Sequence, residues 1–371
     1  MRLRFLVVSL VVLALSAGTG FAQTFTGTVD GYWLYNSLKP HIANTTNQLR
    51  AFDIRDQSFS LNYGELAVDY KPNQVGLRVD FAFGDAAEVV NNNSNDGEYL
   101  RHIQQAYLSG TRDKFTVDFG KFVTPIGAEV IETKDNWNYS RGLLFTLGIP
   151  FYHFGARGTY VANDKTTIAG YVVNGWDNVK DNNAAKSIIF SGNFKPMSKF
   201  GVITNFMWGK EVQGSDDARS LVDLIATFNP NDKVSFMANY DYVKDHTAPG
   251  LSIVPCSPRG SDPGCSVFWQ GIAGYVKVKP SDKLSLAARY EWFGDHNGVR
   301  SPAPQDLQSY TGTVSVPWND LTLWGEFRRD TSDVAMFNEW SQGVFGPSAT
   351  AVKGQNTFTI GVTYGFTKMV K

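Results

Sequence analysis

The stretch FTVDFGKFVTPIGAEVIETKDNWNYSRGLLFTLGIPFYHFGARGTYV, Phe115 to Val161, decides how the rest of the chain is read. Its first part alternates, with Phe115, Val117 and Phe119 on one side and Thr116, Asp118 and Gly120 on the other. That is the pattern of a strand with one apolar and one polar face. Its last part alternates again, Tyr152, Phe154 and Tyr160 opposing His153, Arg157 and Thr159. Between these strands runs a long segment, residues 123 to 149, carrying Glu129, Glu132, Lys134, Asp135 and Arg141. Loops of that length inside a compact fold are uncommon and usually functional.

Working outward, the chain repeats one kind of short reversal. Lys71-Pro72-Asn73-Gln74, Thr111-Arg112-Asp113-Lys114, Ala162-Asn163-Asp164-Lys165 and Lys195-Pro196-Met197-Ser198-Lys199 are followed by Asn229-Pro230-Asn231-Asp232-Lys233, Lys279-Pro280-Ser281-Asp282-Lys283 and Pro317-Trp318-Asn319-Asp320. Pro presets the first turn dihedral and Asn or Asp bonds its own backbone, so each predicts a tight hairpin. Longer polar or Gly-rich segments separate the hairpins, at residues 36–57, 85–98, 123–149, 175–185, 210–217, 244–266, 294–306 and 331–354. With one strand before the first and one after the last, the count is about 16, short turns on one rim and long loops on the other.

Alternation recurs within the segments. Leu284, Leu286, Ala288, Tyr290 and Trp292 oppose Ser285, Arg289 and Glu291; Leu321, Leu323 and Phe327 oppose Thr322, Glu326, Arg328 and Asp330. Around 58–70 the apolar parity switches from odd to even, which predicts a bulge near Gly64 and Glu65. The facing of 99–110 and 267–278 is left open. A closed antiparallel barrel suits such strands, because closure leaves no unpaired edge in lipid, and about 16 strands enclose a water channel.

The ends and the composition agree with export. Arg2 and Arg4, the apolar run from Phe5 to Leu15, and Gly20-Phe21-Ala22 predict a signal peptide over residues 1–22, cleaved after Ala22, leaving 23–371 as a single domain. Charge is balanced, with 34 Lys and Arg against 35 Asp and Glu, so nothing suggests nucleic acid as a partner. Cys256 and Cys265, in one long loop, are expected to form a disulfide in an oxidising compartment. A metal site is not expected from two thiols without clustered histidines.

Gly120-Lys121-Phe122, Pro125-Ile126-Gly127, Glu129, Asn138-Tyr139-Ser140-Arg141-Gly142, Pro150-Phe151 and His153-Phe154-Gly155 together resemble the β-barrel porin-2, or OmpL-like, family. The Gly-Lys-Phe, Pro, Glu spacing is similar to the phosphate-selective porin O and P family. The resemblance implies a Gram-negative outer-membrane porin: a transmembrane antiparallel β-barrel with short periplasmic turns and long extracellular loops. It implies a passive channel for small hydrophilic solutes or ions, seated in outer-membrane lipid, with no cofactor. It is compatible with a homotrimer. It also implies that the third long loop folds into the lumen. Glu129, Glu132 and Asp135 would then face inward-projecting Arg78, Arg157, Arg289 and Arg328, with Lys121 and Arg141 from the motif beside them. Opposed rows of acid and base would filter solutes by charge. The plainer reading is that these are ordinary salt bridges.

Enzyme signatures are absent: no Gly-x-Ser-x-Gly, no His-Glu-x-x-His, and five scattered histidines. The rival functions are a channel selective for phosphate or a sugar, and a barrel that conducts nothing, an adhesin or an outer-membrane lipid enzyme. One departure from a common porin pattern stands at the end, where Phe366 is followed by Thr367 to Lys371 instead of closing the chain.

Overall fold

The computed structural model describes residues 23–71, 73–93, 96–212, 217–246, 266–344 and 346–370. In chain order the strands are β1 (Gln23–Asn36), β2 (Phe59–Tyr70), β3 (Val75–Phe83), β4 (Ile103–Arg112), β5 (Phe115–Val123) and β6 (Tyr152–Asn163). Next come β7 (Thr166–Val173), β8 (Ser187–Met197), β9 (Phe200–Gly209), β10 (Arg219–Asn231), β11 (Val234–His246) and β12 (Ser266–Ser281). The last are β13 (Leu284–Asp295), β14 (Gln305–Trp318), β15 (Leu321–Ser332), β16 (Phe337–Gly343), β17 (Gly346–Val352) and β18 (Gly354–Val370). Strands β1 to β15 and β18 make one closed barrel of 16 strands in which every strand pairs antiparallel with its neighbours, β1 meeting β18 to close the ring. The remaining two form a separate hairpin within the last long loop.

Each short reversal joins a hairpin, and the turn chemistry shows in the backbone. Asp113 and Asn319 take φ of 52° and 54°, in the left-handed region that Asn and Asp tolerate better than other side chains with a Cβ. Alternation sets the faces. On β18, Phe358, Ile360, Val362, Tyr364 and Phe366 are exposed on the outside, while Thr357, Thr359 and Thr363 are buried within. The outer wall is therefore an apolar belt and the inner wall polar, inverse to a soluble protein.

The parity switch in β2 has its cause two residues earlier than expected. Between Asp30 and Gly31 the register on β2 jumps from Tyr63 to Leu61, so Asn62 is the extra residue. Leu61 faces out and Tyr63 in. A second irregularity, in which Gln104 is skipped opposite Asp80 and Phe81, settles β4 with Tyr107 inward and Leu108 outward. In β12, Trp269 and Tyr275 point inward and Ile272 outward.

The long loops contribute to an apolar cluster that includes Phe52, Ala86, Ile126, Leu143, Phe145, Ile149 and Trp176. A short helix, α1 (Asp85–Val90), contributes Ala86, Ala87 and Val90. Among the described residues no helix is long and apolar enough to cross a membrane.

Candidate functional site: the third loop inside the barrel

Residues 124–151 leave β5, cross the interior and return to β6. Their backbone needs partners there, since a buried amide without one is costly, and the inner wall supplies them. Gly127 N–H donates to Asp223 at 3.0 Å and Ala128 N–H to Asn239 at 3.1 Å. Tyr139 and Ser140 N–H both donate to Glu326, at 2.7 and 3.0 Å, and Leu144 N–H to Glu291 at 3.3 Å. In the other direction Trp269 Nε1 donates to the Gly148 carbonyl at 3.1 Å. The loop thus lies against an arc from β10 through β15.

Side chains extend the attachment to β1. Tyr139 hydroxyl donates to Asp30 at 2.5 Å, Thr133 hydroxyl bonds the same carboxylate, and Asn62 adds a third donor at 2.6 Å. The Tyr139 ring sits between Tyr32 and Trp324, 6.1 and 6.2 Å between centroids. It rests on Gly361, where an added Cβ would come within 2.4 Å of the ring. A glycine is required there for close approach.

Four of the expected residues belong to this attachment. Arg289 bonds Glu129 at 2.5 Å and the Ser140 carbonyl at 2.7 Å, and its Nε forms an ion pair with Glu291 at 3.0 Å. Glu129 uses its other oxygen for Gly142 N–H, 2.6 Å away. Arg328 bonds Asp330 at 2.7 Å and the Arg141 carbonyl at 2.5 Å. Arg141 turns back on its own loop, donating to the carbonyls of Val130, Tyr139 and Ile131 at 2.6 to 2.8 Å. The side chains of Arg289 and Arg328 are 0 and 1% exposed, so these charges are sealed from water.

Arg78 and Arg157 stand on the opposite arc and keep 31 and 22% of their side chains exposed. Arg78 pairs with Asp80 at 2.9 Å, and Arg157 with Asp118 at 2.7 Å. Arg157 also stacks over Tyr107 and Phe122, at 5.2 and 4.9 Å. From the loop, half-buried Glu132 has wall carboxylates Glu65 and Asp80 among its electrostatic neighbours, and Glu65 accepts from Tyr63 hydroxyl at 2.6 Å. Asp135 is exposed and paired with Lys134 at 2.6 Å. Lys121 stands apart. It shares the outward parity of Phe119, and its ammonium is held by Asn91 at 2.6 Å and the Ile103 carbonyl at 2.8 Å, above the Tyr152 ring. It joins the second loop to the wall.

The residues missed by sequence reasoning are the carboxylates Asp30, Glu65, Asp80, Asp118, Asp223, Glu291, Glu326 and Asp330. Most stand two positions from an arginine that was singled out or directly across from one, on the same polar face; that proximity was the available signal. At the loop's end, Asp177 accepts from Phe151 and Tyr152 N–H at 2.6 and 3.1 Å. Burial pushes its carboxyl up to about 6, against the pull of those two amides and of Arg300. Cys256 and Cys265 lie outside the described residues. Among the described residues no group of three or more His, Cys, Asp or Glu could hold a metal ion.

Solved structures share this architecture. The trimer form of in-vitro folded OmpT, an outer membrane protein of Vibrio cholerae, superposes with a TM-score of 0.60 at 13% identity, covering 94% of this chain and 100% of that one. The anion-selective porin from Comamonas acidovorans gives 0.59 at 11% identity, over 93% of this chain and 100% of that one. Salmonella typhi OmpF, in a complex with daunomycin, gives 0.54 at 13%, over 93% and 97%. At such identities the likeness is one of fold. No curated protein matches the chain in sequence. A family model described as "Putative beta-barrel porin-2, OmpL-like" matches residues 23–366. With the closed barrel and its inward-folded loop, that match over nearly the whole chain makes it a member of the beta-barrel porin-2, OmpL-like family, an outer-membrane porin channel.

Proposed function

We propose that the channel is a passive, water-filled one for small hydrophilic solutes, and that its water path runs between the third loop and the β2–β6 arc. The observation that carries this is the division of the inner charges. Glu129, Arg141, Arg289 and Arg328 hold the loop and are closed to water, whereas Arg78, Arg157 and Asp135 keep accessible charge. Along that path Arg78 is balanced by Asp80, Arg157 by Asp118 and Asp135 by Lys134, so no strong ionic preference is expected. A phosphate-selective channel would need arginines free of acidic partners, and both accessible arginines are paired, which favours the unselective reading.

The same reading has residues 1–22 removed on export, residues 23–371 as one barrel, outer-membrane lipid around the apolar belt, and no catalytic chemistry or cofactor. A homotrimer fits it, as the Vibrio cholerae protein is described in a trimer form; chemical cross-linking in membranes tests that part. The channel itself is tested by single-channel recording in a planar bilayer with a salt gradient. Stable open steps are expected. Folded, β-rich protein that gives no steps would overturn the reading and favour an adhesin or a lipid enzyme.

A further inference from the structure

The first long loop and the β16–β17 hairpin line a pocket of about 190 Å³ on the long-loop rim. Asn36, Thr46 and Gln48 come from one side, Gln355 from the start of β18, and Asn338 and Trp340 from β16. Among the described residues none of its lining is charged. The amides beneath it are already committed, and they fix its shape. Asn36 Nδ2 donates to Asn47 at 2.9 Å and to Gln355 at 3.1 Å, and its oxygen accepts from Leu38 N–H at 2.9 Å. Gln355 Nε2 donates to the Gln48 carbonyl at 2.9 Å and to Asp330 at 3.0 Å. Gln48 in turn donates to the Met336 carbonyl at 3.2 Å and accepts from Asn338 N–H at 2.7 Å.

The groups left over stand around the opening. The Asn338 side-chain amide, the Trp340 indole N–H and the Thr46 hydroxyl make no hydrogen bond to any described residue. Asn338 and Trp340 are half-buried and Thr46 is exposed. An ionised ligand would enter without a counter-charge, which neutral walls do not repay. A wholly apolar one would cover the Asn338 amide and leave it without a partner. A ring with an apolar C–H face and a rim of hydroxyls meets both demands. Its face packs on the indole, and each hydroxyl both gives and accepts, as amide and hydroxyl partners require. The space is smaller than the roughly 300 to 1,000 Å³ of sites for drug-sized ligands and suits one such ring.

We propose that this pocket binds a neutral pyranose, seated on the Trp340 ring and hydrogen-bonded by Asn338 and Thr46. The ring can come as a free sugar or as the end of a surface glycan, since both present the same face and hydroxyls. Binding there does not depend on conduction through the barrel.

Saturation-transfer NMR on the full-length protein, in a detergent without a sugar headgroup, tests this. The probes are the methyl glycosides of glucose, galactose, mannose and N-acetylglucosamine, with the matching linear trisaccharide of any that binds. At least one glycoside should bind the native protein. Trp340→Ala should weaken that binding about tenfold and Asn338→Ala about fivefold, both with native melting and conductance. Trp340→Phe keeps an aromatic platform and should keep most of the affinity. Tighter binding of the trisaccharide assigns the end of a glycan, and equal binding a free sugar. No transfer to any of the glycosides in the native protein would overturn the proposal. So would equal binding by the native, Trp340→Ala and Asn338→Ala proteins, which would put the sugar elsewhere, as in the lumen.

Discussion

Two arcs of one barrel wall carry the same residue types and put them to opposite use. Along β10 to β15 and β1, arginines and carboxylates are sealed beneath the third loop and satisfied by its backbone. Along β2 to β6, arginines pair with carboxylates at neighbouring positions and keep 31 and 22% of their side chains open to water, over partners that are 0 and 5% exposed. Buried ion pairs are costly to break because the surviving charge has no solvent to fall back on. Exposed ones contribute little. The difference lies in the loop that covers one arc and leaves the other bare, since the wall alone does not distinguish them.

Arg289→Gln is the strongest way to break the comparison. It leaves Glu129 and Glu291 facing an uncharged amide in a dry site, and a loss of about 3 to 5 kcal/mol is expected. The barrel should survive, because its strands do not depend on Glu129, but the loop should loosen and unitary conductance rise. Thermal unfolding and single-channel recording read the two parts. A small loss with unchanged conductance would show that Arg289 is not the clamp its geometry suggests.

Asp177 sharpens the comparison from the loop's end. Its carboxyl, at about 6, lies above the ordinary aspartate value of 3.8. The folded protein therefore holds that proton more tightly than the unfolded chain does, and stability falls as pH rises from about 4 to about 6, then stays level. The size is about 3 kcal/mol. Asp177→Asn keeps an acceptor for Phe151 and Tyr152 N–H without the buried charge. It should melt higher than the native protein at pH 8 and alike at pH 4. An unchanged difference at both values would mean that another group carries the pH dependence.

Gly361→Ala tests the seat of Tyr139. The new methyl would meet the ring at 2.4 Å, and overpacking of this kind typically costs about 1 to 3 kcal/mol. Displacing the ring also draws its hydroxyl from Asp30, so the loss should shrink in a Tyr139→Phe background. Double-mutant melting curves measure that coupling.

Much of the barrel was legible because its information is local. A Pro, Asn or Asp marks every short turn, and period-two alternation marks the faces of β5, β13, β15 and β18. Positions that depend on strands far apart in sequence were not legible. Tyr139 and Asp30 are 109 residues apart, and nothing near either announces the other. Parity identified Arg289 and Arg78 as inward alike; only the loop's path makes one a clamp and the other a lining residue. The bulge was misplaced because Gly64 adds no side chain to the pattern, so alternation shows that parity has switched without showing where. The β16–β17 hairpin read as loop because Gly346–Val352 has no apolar face to alternate.

Arg157→Gln has the smallest expected effect on the fold and the clearest on conduction. The side chain gives up its 2.7 Å bond to Asp118 and its stacking on Tyr107 and Phe122. Asp118 is only 5% exposed and relies on the Gln amide as its remaining donor, while the Arg157 side chain is 22% exposed, so the loss should be about 1 kcal/mol. The charge change acts directly on the path: one positive group leaves while the carboxylate stays, and the reversal potential should move toward cation preference, most visibly at low salt where screening is weakest. The same substitution at Arg289 and Arg157 thus separates the arcs, one moving the melting curve and the other the reversal potential. Equal melting losses at both sites would mean that the third loop does not seal the arc it touches, and the asymmetry of the pore would go with it.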